Sequence, residues 1–156
     1  MKWLSKFINL TPSDRFLLMK TLFMLGAVRL GLRLLPFQTL RSLLARLSEP
    51  TAKLQMSEPT YVDRVVWAVR VASRYVRGVR CLAQALATQV LLEQRGYPAD
   101  LRIGFTRSKY GQMSAHAWVE SGGRVVIGGT GNMAGYIRVP LQAIERDKKS
   151  QWYLFS

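Results

Sequence analysis

The chain has 156 residues, 49% of them hydrophobic and 21% charged, a balance typical of a globular domain. Its apolar content excludes disorder as the main state, and its length suffices to bury a sizeable core. One Cys and one His exclude an internal disulfide and a zinc site built from those two residues alone, so no metal is expected. The first residues show no secretory signal pattern, and we expect a reducing, cytoplasmic compartment.

Positive charge dominates the chain: 23 Lys and Arg outnumber nine Asp and Glu, giving +14 at pH 7. This excess favours acidic partners such as nucleic acid, anionic lipid or an acidic peptide. The charge is spread along the chain, and no basic run is longer than the pair Lys148-Lys149. Because no zinc-finger or RNA-binding signature accompanies it, a solvated basic surface is favoured over a nucleic-acid interface.

The first third of the chain is predicted to be helical. Thr11, Pro12 and Asp14 supply an N-cap hydroxyl, a proline for the first turn and an acid that suits a helix N-terminus. The segment from Phe16 to Leu34 is densely apolar, but charges interrupt it long before the roughly 20 residues that a membrane span needs. Pro36 then ends the helix.

A second helix is predicted from residue 37 to 47, and both helices are expected to pack on the rest of the chain. A surface for a membrane or a partner protein is the alternative, because cations flank the apolar faces, namely Arg33, Arg41 and Arg46. Residues 48–59 are polar, contain two prolines and form the best linker candidate. We therefore divide the chain into an N-terminal helical region, 1–50, and a second domain, 51–156.

The second domain changes from helical to extended character. Residues 61–76 and 81–95 have helical periodicity, and Gly96 followed by Pro98 is a stop signal. Short strands are predicted at 101–105, 115–120 and 124–127, with a hairpin at Ser121-Gly122-Gly123. Helices followed by an antiparallel sheet indicate an α+β fold.

Cys81 opens the second of these helices. A thiol at a helix N-terminus meets the positive end of the backbone dipole and unpaired N–H groups, which predicts a lowered pKa and a nucleophilic thiolate. The same N–H groups can stabilise the oxyanion of an acyl-transfer intermediate. The alternative is a buried Cys that acts as a small hydrophobic residue.

His116 lies in the middle of a predicted strand. Because side chains alternate along a strand, its ring shares one face with Trp118 and Glu120. An imidazole can act as general base and acid, and the alternative is a structural His at a strand edge.

Three stretches follow in a distinctive order: Tyr75–Leu86 around the Cys, Gly96–Gly104 with its Gly-Tyr-Pro, and Ala115–Glu120 around the His. This order resembles the transglutaminase-like, papain-type cysteine enzymes. It resembles more closely the family that removes leader peptides from lasso-peptide precursors. The specific likeness covers about residues 61–130, and it implies a transglutaminase-like catalytic domain at 51–156 behind the helical region.

The resemblance implies a cysteine peptidase with Cys81 as nucleophile and His116 as general acid and base. It further implies a separate small leader-recognition protein and an ATP-dependent cyclase as partners. No cofactor is expected on the chain itself, so ATP would act only through the cyclase. Two alternatives stay open: a non-catalytic scaffold that binds precursor or membrane, and an acyl transferase of the same fold.

The third member of the expected triad is missing from its usual place. The resemblance implies an Asp on the strand after the His, but a regular hairpin places Gly128 or Gly129 opposite His116. Glu120 lies on the correct face, yet four strand residues span about 13 Å, too far for a direct hydrogen bond. The orienting group is left open among Asp100, Asn132 and a backbone carbonyl.

Overall fold

The computed structural model describes residues 8–49, 60–107, 109–129 and 135–141. In these ranges four helices precede a four-stranded antiparallel sheet, which confirms the predicted α+β class. The helices are α1 (Pro12–Leu34), α2 (Phe37–Leu47), α3 (Thr60–Ser73) and α4 (Cys81–Glu93). The strands are β1 (Asp100–Arg107), β2 (Met113–Ser121), β3 (Arg124–Ile127) and β4 (Ile137–Val139), in the spatial order β3-β2-β1-β4. Most of the predicted linker lies outside the described residues.

The start of α1 follows the sequence prediction. The Oγ1 of Thr11 accepts a hydrogen bond from the backbone N–H of Asp14 at 3.3 Å, and Pro12 occupies the first turn. Arg64 of α3 donates to the Asp14 carboxylate at 2.6 Å, tying the beginning of α1 to α3. Hydrogen bonds from the Thr11 hydroxyl and from Arg64 lower the pKa of Asp14.

One hydrophobic core joins the helices to the sheet. Helix α1 packs on α3 and α4, and its Leu25 and Val28 are completely buried. Helix α4 covers the face of the sheet that carries Ala115, Ala117 and Val119. Within the described ranges, no helix combines the length and the apolar character that crossing a bilayer requires.

The hairpin between β2 and β3 turns at two glycines with positive φ, Gly122 at 58° and Gly123 at 79°, as its sequence predicts. Its pairing departs from a regular hairpin, because a bulge between Val119 and Glu120 shifts the register. The last paired residue of β3 is Ile127, opposite Val119. The bulge puts one extra residue into β3, and the strand pairing ends before it reaches His116. The expectation that residue 128 or 129 pairs with His116 is therefore wrong.

Strand β4 is absent from the sequence prediction. It has three residues and pairs with β1 through Ile103, Gly104 and Phe105. So short an edge strand carries too little periodicity to identify from sequence. It places Tyr136 and Arg138 beside the centre of the sheet.

Candidate active site

Cys81 is the first residue of α4 and lies against β2. The residue before it, Arg80, has an extended backbone and makes no side-chain capping hydrogen bond. The half-buried sulfur is a hydrogen-bond partner of backbone groups of Ala117, Leu82 and Cys81 itself. The thiol therefore meets N–H groups of the first helical turn and of the strand residue that directly follows His116.

The pKa of the Cys81 thiol is raised above its ordinary value of 9.0. Burial is the largest cause, because it disfavours the charged thiolate, and the neighbouring N–H groups and Arg80 only partly oppose it. The predicted lowering of this pKa is therefore wrong. The helix N-terminus exists as expected, but the sequence alone does not reveal how far α4 and the sheet enclose the sulfur.

We expect iodoacetamide to label native Cys81 slowly at neutral pH, with a midpoint above that of the denatured chain. Only the thiolate reacts, and burial delays its formation until higher pH. Denatured protein should label with the ordinary midpoint. Cys81 is the only Cys, so intact-mass spectrometry reads its modification directly. A native midpoint below that of the denatured chain would contradict this assignment of burial as the dominant effect.

The His116 ring is held by a backbone carbonyl. Its Nε2 lies 2.5 Å from the carbonyl oxygen of Gly128, just beyond the end of β3. A carbonyl only accepts hydrogen bonds, so Nε2 carries a proton and Nδ1 of the neutral ring has the free lone pair. Among the described residues, a backbone carbonyl is the orienting group that the structure brings to the ring.

Three side chains were considered above as partners of the His116 ring: Asp100, Glu120 and Asn132. Asp100 pairs with Glu120, whereas the partner of His116 in β1 is Gly104. These two β1 positions are about 13 Å apart along the strand. Asn132 lies outside the described residues.

Glu120 serves a different part of the sheet. Its carboxylate accepts the indole N–H of Trp118 at 3.0 Å and pairs with Arg138 at 3.1 Å and Arg102 at 3.5 Å. The Trp118 hydrogen bond, followed by the arginine charges, lowers the pKa of Glu120 against the opposing effect of burial. Glu120 therefore fixes Trp118.

Two aromatic rings position the imidazole further. Trp118 stacks with His116 at 6.4 Å between ring centroids, and Tyr136 lies 5.5 Å from it. Gly104 leaves room for this packing, because a Cβ there would meet Trp118 and Tyr136 at 3.0 Å. Sequence reasoning missed Tyr136, although a glycine inside a strand indicates such close approach.

Nuclear magnetic resonance of the single imidazole tests the Gly128 contact. We expect the neutral ring to carry its proton on Nε2, because the carbonyl requires a donor there. With one His in the chain, ¹⁵N-histidine labelling and long-range ¹H–¹⁵N correlation assign both ring nitrogens unambiguously. A neutral ring protonated on Nδ1 would contradict the described orientation.

The arrangement supplies the parts that acyl transfer needs. The Cys81 sulfur contacts backbone groups of Ala117 and of the first turn of α4, and the imidazole belongs to the residue before Ala117 in β2, His116. Among the described residues, no group of three or more His, Cys, Asp or Glu side chains could hold a metal ion.

Comparison with known proteins identifies one family. The family model described as Transglutaminase-like superfamily matches residues 23–140, which is more than half of the chain and includes both Cys81 and His116. No curated protein and no solved structure gives a significant match.

Proposed function

Since the chain belongs to the transglutaminase-like superfamily, whose members are typically cysteine peptidases or transferases, we propose that it is a cysteine peptidase. Cys81 is the nucleophile and His116 the general base and acid. The observation that carries this proposal is the contact between the Cys81 sulfur and the backbone of Ala117, the residue next to His116 in β2.

At rest, burial favours the protonated form of the Cys81 thiol. As Sγ of Cys81 attacks the substrate carbonyl carbon, the thiol proton passes to the free Nδ1 of His116. Nδ1 then protonates the leaving amine while the C–N bond breaks, leaving a thioester on Cys81. His116 next takes a proton from water, which attacks the thioester, and the proton returns to the sulfur as the new carboxylate leaves.

Two sets of backbone groups assist these steps. In the proposed reaction, N–H groups of the first turn of α4 donate to the developing oxyanion. The Gly128 carbonyl accepts from Nε2–H throughout and keeps Nδ1 available. Because this carbonyl is uncharged, it stabilises the imidazolium less than the expected Asp would. We therefore expect a slower reaction than in an enzyme with a complete Cys-His-Asp triad.

The substrate that we propose is the precursor of a lasso peptide, from which the enzyme removes the leader. This part rests on the resemblance of the three stretches around Cys81, Gly96 and His116. On the same basis we propose a separate leader-recognition protein, an ATP-dependent cyclase as partner, and a cytoplasmic location. No cofactor on the chain takes part in the proposed steps.

A precursor assay in ¹⁸O-water tests this function. The full chain is incubated with a synthetic lasso precursor peptide, alone and with a leader-recognition protein and a cyclase. We expect one peptide bond to break and one ¹⁸O to enter the new carboxylate of the leader. Because we propose that leader recognition resides in a separate protein, the leader fragment should appear only when that protein is present.

The same assay distinguishes the competing functions. A product joined to an added amine, formed in place of the free acid, would identify an acyl transferase. Absence of cleavage under all conditions, with precursor affinity unchanged in Cys81→Ala, would overturn the peptidase proposal. It would favour a non-catalytic scaffold that binds the precursor.

A further inference from the structure

The outward face of α1 carries a row of exposed apolar side chains. Exposed fractions run from 55% to 80% for the members of this row, Phe16, Met19, Phe23, Leu30 and Leu34. We name these five residues the α1 stripe. They recur every three or four residues, or at twice that interval, so they lie along one side of the helix. The opposite side is buried in the core through Leu17, Leu25 and Val28.

Helix α2, which follows α1 in the chain, also has exposed apolar side chains. Leu43 and Leu47 are one turn apart and are 44% and 53% exposed, while Phe37, Leu40 and Leu44 face the core. Contiguous exposed apolar patches on a soluble domain indicate an interaction site rather than ordinary surface.

The stretch of sequence that carries these exposed apolar side chains is cationic. Between Asp14 and Glu49 the chain has six cations and no acidic residue. Arg33 and Arg46 are exposed and lie in the last turns of α1 and α2. A second copy of the chain would bring like charges together across the α1 stripe, which opposes self-association through this face.

We propose that the outward faces of α1 and α2 bind an anionic lipid surface. Aromatic and aliphatic side chains insert between headgroups, and the surrounding cations contact the negative lipids. The charge is spread along both helices without a dense basic cluster, and this distribution matches a plane of headgroups better than a discrete acidic peptide. Because the inner side of α1 is fixed to the core, the helix lies flat on the bilayer over about 35 Å.

Vesicle flotation with the full chain tests this proposal. We expect binding to vesicles of phosphatidylcholine and phosphatidylglycerol, and weak binding to phosphatidylcholine alone, with the difference reduced by high salt. Phe16→Ser combined with Phe23→Ser should lower partitioning on the order of tenfold, since the largest inserted side chains are lost. Arg33→Gln combined with Arg46→Gln should lower it for anionic vesicles specifically.

The matched control is Tyr110→Ser, which removes an aromatic side chain that is 93% exposed and lies in the turn between β1 and β2. Thermal unfolding verifies that all variants remain folded. Binding that is absent at low salt, or unchanged in the double Phe variant, would overturn the proposal. So would a dimer, or a complex with an acidic amphipathic peptide, that depends on the α1 stripe in the absence of vesicle binding. The assay involves no peptide cleavage, so its outcome is independent of the peptidase proposal.

Discussion

Replacing Cys81 with alanine is expected to reduce kcat for precursor cleavage by about four orders of magnitude or more. The variant loses the atom that forms the thioester, and no other Cys exists to replace it. Cleavage is followed by mass spectrometry of the released leader. The site is half-buried and removal of a sulfur is a small change, so the fold should persist, which circular dichroism verifies.

His116→Gln should cause a loss of similar size, because the thiol is protonated at rest and needs a base to ionise during attack. Nucleophile and base act as a unit, so the double variant should be no slower than the slower single variant. Tyr110→Ser is the control, because that exposed side chain lies in the turn between β1 and β2. If the loss of kcat in the double variant equalled the product of the losses in the two single variants, the two residues would act separately.

Gly128→Ala is expected to destabilise the protein strongly and to impair cleavage. Gly128 has φ of 79°, and an added Cβ would lie 2.6 Å from the carbonyl oxygen of Ala117 and 3.0 Å from Trp118. The backbone strain costs about 1 kcal/mol, and the clash with backbone adds about 1–3 kcal/mol. Any shift that relieves the clash also moves the carbonyl that holds His116.

Gly111→Ala provides a matched control for this prediction. Gly111 has φ of 80°, but nothing lies within 4 Å of its added Cβ, so only the conformational strain is introduced. Urea denaturation of both variants isolates the cost of the contact, and cleavage should be preserved in Gly111→Ala. Equal destabilisation of the two variants would show that the Gly128 contact with β2 is unimportant.

The sequence predicted those features that depend on local chemistry. The Thr11 cap, the start of a helix at Cys81 and the glycine turn of the hairpin each follow from residues close together in the chain. The α+β order follows from periodicity in the same way.

Features set by tertiary packing could not be predicted. The raised pKa of Cys81 depends on how deeply α4 and β2 enclose the sulfur, and a helix N-terminus alone predicts the opposite direction. The bulge at Val119 and Glu120 changes the register in a way that no alternation reveals. Tyr136 reaches the ring because β4 pairs with β1 in the register Phe105↔Ile137, two positions that are 32 residues apart in the chain.

The carbonyl of Gly128 offers a physical explanation for an active site without the expected Asp. A side-chain acid can reach the imidazole from several backbone positions, whereas a carbonyl must approach it directly. The absence of a Cβ at Gly128 permits that approach. Glycine at this position is therefore consistent with a working site as well as with a degenerate one.

Detection of an acyl-enzyme tests the central claim most directly. The full chain is mixed with a synthetic precursor peptide and any required partners, quenched in acid within the first turnover, and analysed by intact-mass spectrometry and peptide mapping. We predict a leader-sized adduct joined as a thioester to Cys81, released by hydroxylamine and absent in Cys81→Ala. Precursor cleavage that proceeds without such an adduct and persists in Cys81→Ala would contradict the account.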